Sequence, residues 1–223
     1  SQHKHIKFYI ASTDMQKRLL KKQFKKYKNA IPKIVTIPVG SLDELKVPKK
    51  ERKRYSLITA SRLAKEKHVD WLVEAVVEAR KSIPDVSLDI YGKGGEETNL
   101  KEQIKNMNCD DYVHLCGQQK MDEIYENYEA YLSGSTGEGF GLTLMEAVGA
   151  GLPIIGFDVR YGNPNFIDEG KNGYLITVHD KMEKGERIQC LAECIIRLFT
   201  EANIEAFHRH SYEKAKVYLT EEV

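Results

Sequence analysis

The stretch Ala130-Tyr131-Leu132-Ser133-Gly134-Ser135-Thr136-Gly137-Glu138-Gly139-Phe140-Gly141-Leu142-Thr143-Leu144-Met145-Glu146-Ala147 carries a strand, a glycine-rich turn and the start of a helix in direct succession. Four glycines fall within the eight residues 134–141. They let the backbone approach a ligand closely and adopt positive φ. The free amides opening the following helix would form an anion site.

The same unit recurs on both sides of this stretch. Apolar strand candidates fall at 56–60, 86–91, 112–116, 130–132, 153–156 and 174–177, separated by helix candidates at 69–82, 97–107, 121–127, 142–150 and 163–168. The clearest helix carries its apolar stripe on Val69, Leu72, Val73, Val76 and Val77. Strands alternating with such helices predict βαβ units, and hence an α/β fold with a doubly wound parallel sheet of Rossmann-like type. Ligands of such sheets bind beyond the carboxyl ends of the strands. Two more helices are expected at 184–200 and 203–218. The second carries Ile204, Phe207, Tyr212, Val217 and Tyr218 and is expected to pack back across the domain.

The amino-terminal part reads differently. It contains a strand at 6–10, a strand at 34–37 and, between them, a basic helix over 14–28 with Leu20, Phe24 and Tyr27 near one face. Asp14 is its first-turn or capping acid. Residues 41–54, with Pro48 and the run Lys49-Lys50-Glu51-Arg52-Lys53-Arg54, read as a linker or exposed loop. The chain opens without a methionine, in what reads as the middle of an element, so it is expected to be a piece of a longer protein.

Composition excludes several classes. With 34 basic and 33 acidic residues, the 223-residue chain has a net charge of +1, unlike a dedicated nucleic-acid binder. No apolar run approaches the length of a membrane span. Cys109, Cys116, Cys190 and Cys194 match no metal template. With no apolar segment resembling a signal peptide near the start, they are expected to be reduced thiols in a cytoplasmic protein.

Glu138 and Glu146 bracket the glycine loop, eight residues apart. A fully helical path would separate them by roughly 12 Å, about the span from a hexose to a ribose across a diphosphate. Ionised carboxylates only accept hydrogen bonds, so beside a phosphate site they suit hydroxyl groups rather than the anion. The alternative is a plain glycine turn, with Glu138 as a turn charge and Glu146 on a solvated face. Arg62 and Lys67, in Ser61-Arg62-Leu63-Ala64-Lys65-Glu66-Lys67, follow the strand at 56–60 and could neutralise a diphosphate; taken alone they are also ordinary loop charges. Gly92, in Tyr91-Gly92-Lys93-Gly94, could admit a ligand or make a tight turn. Cys116 and Gln118, in Cys116-Gly117-Gln118, could meet a base edge. Lys17, Arg18, Lys21, Lys22, Lys25, Lys26 and Lys28 could face a membrane surface or a polyanion, or simply solvent. His114 and His179 have no evident partners, and no nucleophile–base pair stands out.

The ordered set Ser61-Arg62-Leu63 with Lys67, then Tyr91-Gly92-Lys93-Gly94, then Glu138-x7-Glu146, then Gly151-Leu152-Pro153-Ile154-Ile155 resembles the carboxyl-terminal half of GT-B-fold retaining glycosyltransferases of the large family 4 type. The resemblance spans about residues 34–215. It implies that Arg62 and Lys67 hold the diphosphate of a UDP-sugar and stabilise it as leaving group, that Glu138 lies near the transferred sugar, and that Glu146 binds the ribose diol. The amides around Phe140, Gly141 and Leu142, after Gly139, would contact sugar and phosphates, with no metal or other cofactor required. The run 137–147, together with Phe157-Asp158-Val159-Arg160-Tyr161-Gly162-Asn163-Pro164, looks like a narrower bacterial group. That group includes enzymes placing N-acetylglucosamine on Ser/Thr of serine-rich repeat adhesins, and also wall-teichoic-acid glycosyltransferases. The adhesin resemblance implies a hexosyltransferase with a serine-rich protein acceptor and a homologous co-subunit, in the cytoplasm or peripheral at the membrane. The teichoic-acid enzymes, or a non-catalytic partner subunit of the same fold, are the alternatives. On this reading residues 1–32 are the remnant of an acceptor-side domain and 33–223 the nucleotide-sugar-binding domain. The piece alone is expected to bind donor weakly and to transfer no sugar.

Overall fold

The computed structural model describes residues 8–25, 33–38, 40–159, 162–179 and 181–220. The expected residues 6–7 of the first strand, Lys26, Tyr27 and Lys28 of the basic helix, and Arg160 and Tyr161 of the second motif lie outside them.

Among the described residues the strands form two sheets. β1 (Phe8–Ala11) and β2 (Lys33–Thr36) pair in parallel, and α1 (Asp14–Phe24) lies between them in sequence. This small sheet takes residues from both sides of the expected division at 32/33. Thr13 caps α1, its hydroxyl accepting from the Gln16 amide, which leaves Asp14 as the first-turn acid.

The main sheet is six-stranded and parallel throughout: β3 (Ser56–Ala60), β4 (Ser87–Tyr91), β5 (Val113–Gly117), β6 (Ala130–Ser133), β7 (Ile154–Phe157) and β8 (Gly173–Ile176), in the order β5-β4-β3-β6-β7-β8. The chain winds outward from β3 through β4 to β5, then returns to lay β6 on the other side of β3. The order therefore reverses between β3 and β6, where a crevice opens at the strands' carboxyl ends.

Alternation along the strands feeds two cores. Leu57, Leu88, Leu132, Ile155 and Phe157 face one side, packed under α2 (Val69–Arg80), α3 (Glu97–Asn106) and α6 (Lys184–Thr200). Ile58, Tyr131 and Ile154 face the other, under α4 (Leu142–Gly149). α2 starts with an acid at Asp70 and ends at Arg80, shortly before Pro84 excludes further helix. α6 opens on a reciprocal capping box between Glu183 and Glu186. α7 (Ile204–Ala215) is capped by Asn203 and lies against α4.

Two expectations need correction. Residues 121–127 do not form an α-helix: only a single 3-10 turn, Tyr125–Asn127, forms, because Tyr125 and Tyr128 are drawn into the core. The helix expected at 163–168 closes early as α5 (Asn163–Phe166), since Ile167 turns to extended backbone. Residues 41–54 form a mostly exposed loop with no helix and no strand, as expected, and the structure adds that it is fastened. Leu42 bridges to Leu219, and the Arg52 guanidinium donates to the carbonyls of Glu126, Tyr128 and Ala150.

Candidate functional site

The loop after β3 carries Arg62 and Lys67, and the loop after β6 carries Glu138; these are the two loops that flank the reversal of strand order. They are tied together. The Thr136 amide donates to the Glu66 carbonyl at 3.2 Å, and the Lys67 ammonium forms an ion pair with Glu138 and lies 3.5 Å from the Ser135 hydroxyl. Lys67 and Glu138 are both mostly buried, with 18% and 17% of their side chains exposed. Arg62 is exposed and turned onto Glu66 at 2.6 Å, a contact that solvent screens and an arriving anion could replace.

The β4 loop packs backbone to backbone against the β3 loop. Ser61 donates to the Tyr91 carbonyl and Leu63 to the Lys93 carbonyl, both at 3.0 Å. A Cβ on Gly92, whose φ is +136°, would sit 1.8 Å from the Ser61 carbonyl oxygen. Glycine at 92 is thus required by the chain's own packing, whatever else it admits.

Two adjoining clefts occupy this end of the sheet. One, of about 550 Å³, is lined by Lys67, Glu138, Gly139, Phe140 and Leu142 among others. The second, of about 620 Å³, reaches Tyr91, Gly92 and Gln118. Ser61, Arg62 and Thr143 line both, so the cationic loop stands where the two meet. Phe140 offers only backbone here, for its ring is buried edge-on against Phe166 and Tyr218. Its carbon-rich neighbours hold the loop down on the core, and the Leu142 and Thr143 amides that open α4 have no acceptor in the preceding turn of helix.

Glu146 and Glu138 are not joined by a continuous helix, since α4 begins only at Leu142, so the helical rise does not measure their separation. Glu146 is half-buried rather than on a solvated face. It accepts a hydrogen bond from the Tyr125 hydroxyl at 3.1 Å, and burial raises its carboxyl pKa above the ordinary value. Cys116 is half-buried, its thiol pKa raised by burial, while Gln118 is exposed. Neither Glu146 nor Cys116 lines the two clefts.

Further contacts at and near the site are scarcely legible in the sequence. Tyr131 is fully buried, its pKa pushed up to about 12 by that burial; its hydroxyl donates to the Ala60 carbonyl at 2.8 Å and lies 3.1 Å from the Thr143 hydroxyl. It joins the end of β3 to the first turn of α4. Gln16 of α1 reaches in from the small sheet. Its Oε1 accepts from the amide and hydroxyl of Ser12 at 2.9 and 2.6 Å, which leaves its amide nitrogen to donate to the Gly139 carbonyl at 3.0 Å. His114, expected to lack a partner, bonds Asp89 at 2.7 Å, and Asp89 in turn accepts from Tyr128. Both pairs join residues far apart in sequence, and only Ser12-Thr13 before Gln16, a capping pattern, hints at the first. Among the described residues no group of three or more His, Cys, Asp or Glu is placed to hold a metal, and no helix is long and apolar enough to cross a membrane.

Comparison with known proteins gives the arrangement a family. The UDP-N-acetylglucosamine–peptide N-acetylglucosaminyltransferase GtfA subunit of Streptococcus gordonii is 53% identical over 218 residues, which are 98% of this chain and 43% of that protein. The crystal structure of the pneumococcal O-GlcNAc transferase GtfA in complex with UDP and GlcNAc superposes with a TM-score of 0.93 at 52% identity, covering 97% of this chain and 43% of the other. A crystal structure of the GtfA/B complex matches with a TM-score of 0.93 at 53% identity and the same coverage. The chain thus spans 43% of the length of these curated relatives. The sequence model of the group 1 glycosyl transferases matches residues 41–197, which include both loops of the crevice. The chain belongs to the group 1 glycosyl transferases.

Proposed function

We propose that this chain is the donor-binding part of an enzyme that transfers N-acetylglucosamine from its UDP derivative to serine or threonine hydroxyls of a serine-rich protein, with retention of configuration. The observation that carries the reading is the meeting of Lys67 and Glu138, with Arg62 beside them, in the crevice where the strand order reverses. The similarity to proteins whose names state that activity supports it.

In this reading Arg62 and Lys67 receive the diphosphate, joined by the amides around Phe140, Gly141 and Leu142. Glu138 accepts from sugar hydroxyls and Glu146 from the ribose diol. Gly92, Cys116 and Gln118 lie toward the base. The bond between the anomeric carbon and the diphosphate oxygen breaks, and the acceptor oxygen bonds the same face of that carbon. The hydroxyl proton passes to a departing phosphate oxygen. Negative charge then grows on the diphosphate, where Lys67 and Arg62 are already placed, so little reorganisation is needed as it forms. No step in this scheme calls on a metal.

The small sheet would be the end of an acceptor-side domain, and the main sheet the nucleotide-sugar domain. The reaction takes place between the two, with a homologous second subunit as partner, as the similarity to the GtfA/B complex supports. We place the enzyme in the cytoplasm, where its four thiols would stay reduced. The exposed Arg18, Lys21 and Lys22 of α1 are available to an anionic membrane surface.

Calorimetric titration with UDP, UDP-glucose and UDP-N-acetylglucosamine tests the site. Glu146→Ala should weaken UDP itself, whereas Glu138→Ala should chiefly erase the preference for UDP-sugar over UDP. Negligible effects from both would sink the assignment. Transfer by the full-length enzyme to poly(glycerol phosphate) in place of a serine-rich peptide would overturn the acceptor.

A further inference from the structure

His68 holds a backbone conformation that side chains with a Cβ avoid: φ 44° and ψ 45°. That single left-handed residue turns the chain from the 3-10 turn Lys65–Lys67 directly into α2. Glycine would adopt it without strain. The imidazole instead makes two contacts. It stacks on Trp71 with ring centroids 3.6 Å apart, and its Nε2 lies 3.1 Å from the hydroxyl of Thr136 in the glycine-rich loop.

The backbones beneath are in close contact as well. A Cβ on Gly134 would come within 2.6 and 2.7 Å of the carbonyl oxygens of His68 and Lys67. The two loops therefore meet along a seam running through Gly134, Thr136 and the Lys67–Glu138 pair, with His68 anchoring one side of it to α2.

We infer that His68 is a positioning residue for nucleotide-sugar binding: through Thr136 and the strained turn it fixes Lys67 against Glu138 and so sets the spacing of the two halves of the crevice. The inference rests on the donor-site reading given above. It accounts for a β-carbon at a position where glycine would be less strained, since the imidazole meets both Trp71 and Thr136, which glycine could not.

The test uses the full-length enzyme assembled with its co-subunit, with UDP as the probe of binding and KM for UDP-N-acetylglucosamine as the kinetic readout. His68→Asn keeps a residue that tolerates the left-handed conformation but is too short to span both contacts. It should fold with an unfolding midpoint close to wild type, yet raise the UDP Kd and the donor KM about tenfold, leaving the acceptor KM unchanged. Neither constant depends on the fraction of active protein, so partial misfolding would not produce this pattern. Thr136→Val should give a similar rise, and the double variant should be no worse than either single one. Unchanged UDP affinity in His68→Asn, or strictly additive effects in the double variant, would overturn the inference while leaving the donor site standing. Failure of the wild-type enzyme to bind UDP would overturn both.

Discussion

The Lys67 ammonium and the Glu138 carboxylate form an ion pair between the two loops that flank the reversal of strand order. Neither charge is well solvated, so each depends on the other, and removing one leaves its partner partly stranded. We expect Lys67→Met and Glu138→Gln each to cost about 1–2 kcal/mol of stability, less than a fully buried pair would. The double variant should cost less than the sum of the two. Urea denaturation of the four proteins in this cycle measures the coupling; full additivity would mean that the pair contributes nothing.

Tyr131→Phe deletes one oxygen in the fully buried bridge between the Ala60 carbonyl and the Thr143 hydroxyl. The ring still fills its space, so no cavity opens. The expected loss is about 1–2 kcal/mol from the broken hydrogen bonds. A thermal melt indistinguishable from wild type would contradict the role of the bridge.

Glu146 gives a pH dependence of definite sign. Its folded-state pKa is raised by burial, so below both the folded and unfolded values it contributes nothing, and as pH rises through them ionisation costs stability. Glu146→Gln, which can still accept from Tyr125, should therefore raise the melting temperature at pH 7 and leave it unchanged at strongly acidic pH. In the proposed reading, where Glu146 receives the ribose diol, nucleotide binding has the opposite dependence, because the diol needs the ionised acceptor. UDP affinity should be flat above the raised pKa and fall as pH drops through it, and calorimetry on Glu146→Gln should find that fall removed.

Arg52, half-buried within the 41–54 loop, should be costly to replace. Its guanidinium donates to the Glu126, Tyr128 and Ala150 carbonyls at 3.1, 2.7 and 2.6 Å and to the Tyr212 hydroxyl at 3.2 Å. Arg52→Met should cost about 2–4 kcal/mol, since it removes the donor to the Glu126 and Tyr128 carbonyls and leaves Ala150 only the Tyr212 hydroxyl. Arg52→Lys should recover little of it, for an ammonium cannot reach all of these acceptors as the planar fork does. Chemical denaturation would show whether the lysine variant rescues stability.

Much of this is legible in the sequence. The strands at 56–60 and 130–132 show as apolar runs, and the loops after them as glycine and charge, because both signals are local. The order of the sheet then brings Arg62, Lys67 and Glu138 to one crevice, as doubly wound topology requires. What stayed hidden depends on long-range contact. The Tyr125 hydroxyl that bonds Glu146 comes from residues 121–127, whose helix-like pattern carries no periodicity that distinguishes a single turn. The partner of His114 lies on the neighbouring strand at Asp89, a pairing fixed by register alone. Arg52, inside a run of charges that reads as solvated, is held by carbonyls from distant segments that no side-chain pattern announces.

The hydrogen bond from Gln16 to the Gly139 carbonyl bears on how such enzymes can be recombined. The glycine-rich loop is held partly from outside the six-stranded sheet, by a glutamine that Ser12 locks in place. A chimera that exchanges the main sheet between relatives at a junction after residue 36 would graft the loop without its clasp, and each parent's loop would meet a foreign helix. A junction placed ahead of residue 8 transplants clasp and loop together. Modularity in this architecture therefore follows the contact, not the sheet boundary, and inheritance of the two by shuffling would favour crossovers that keep residues 12–16 and 139 on the same segment.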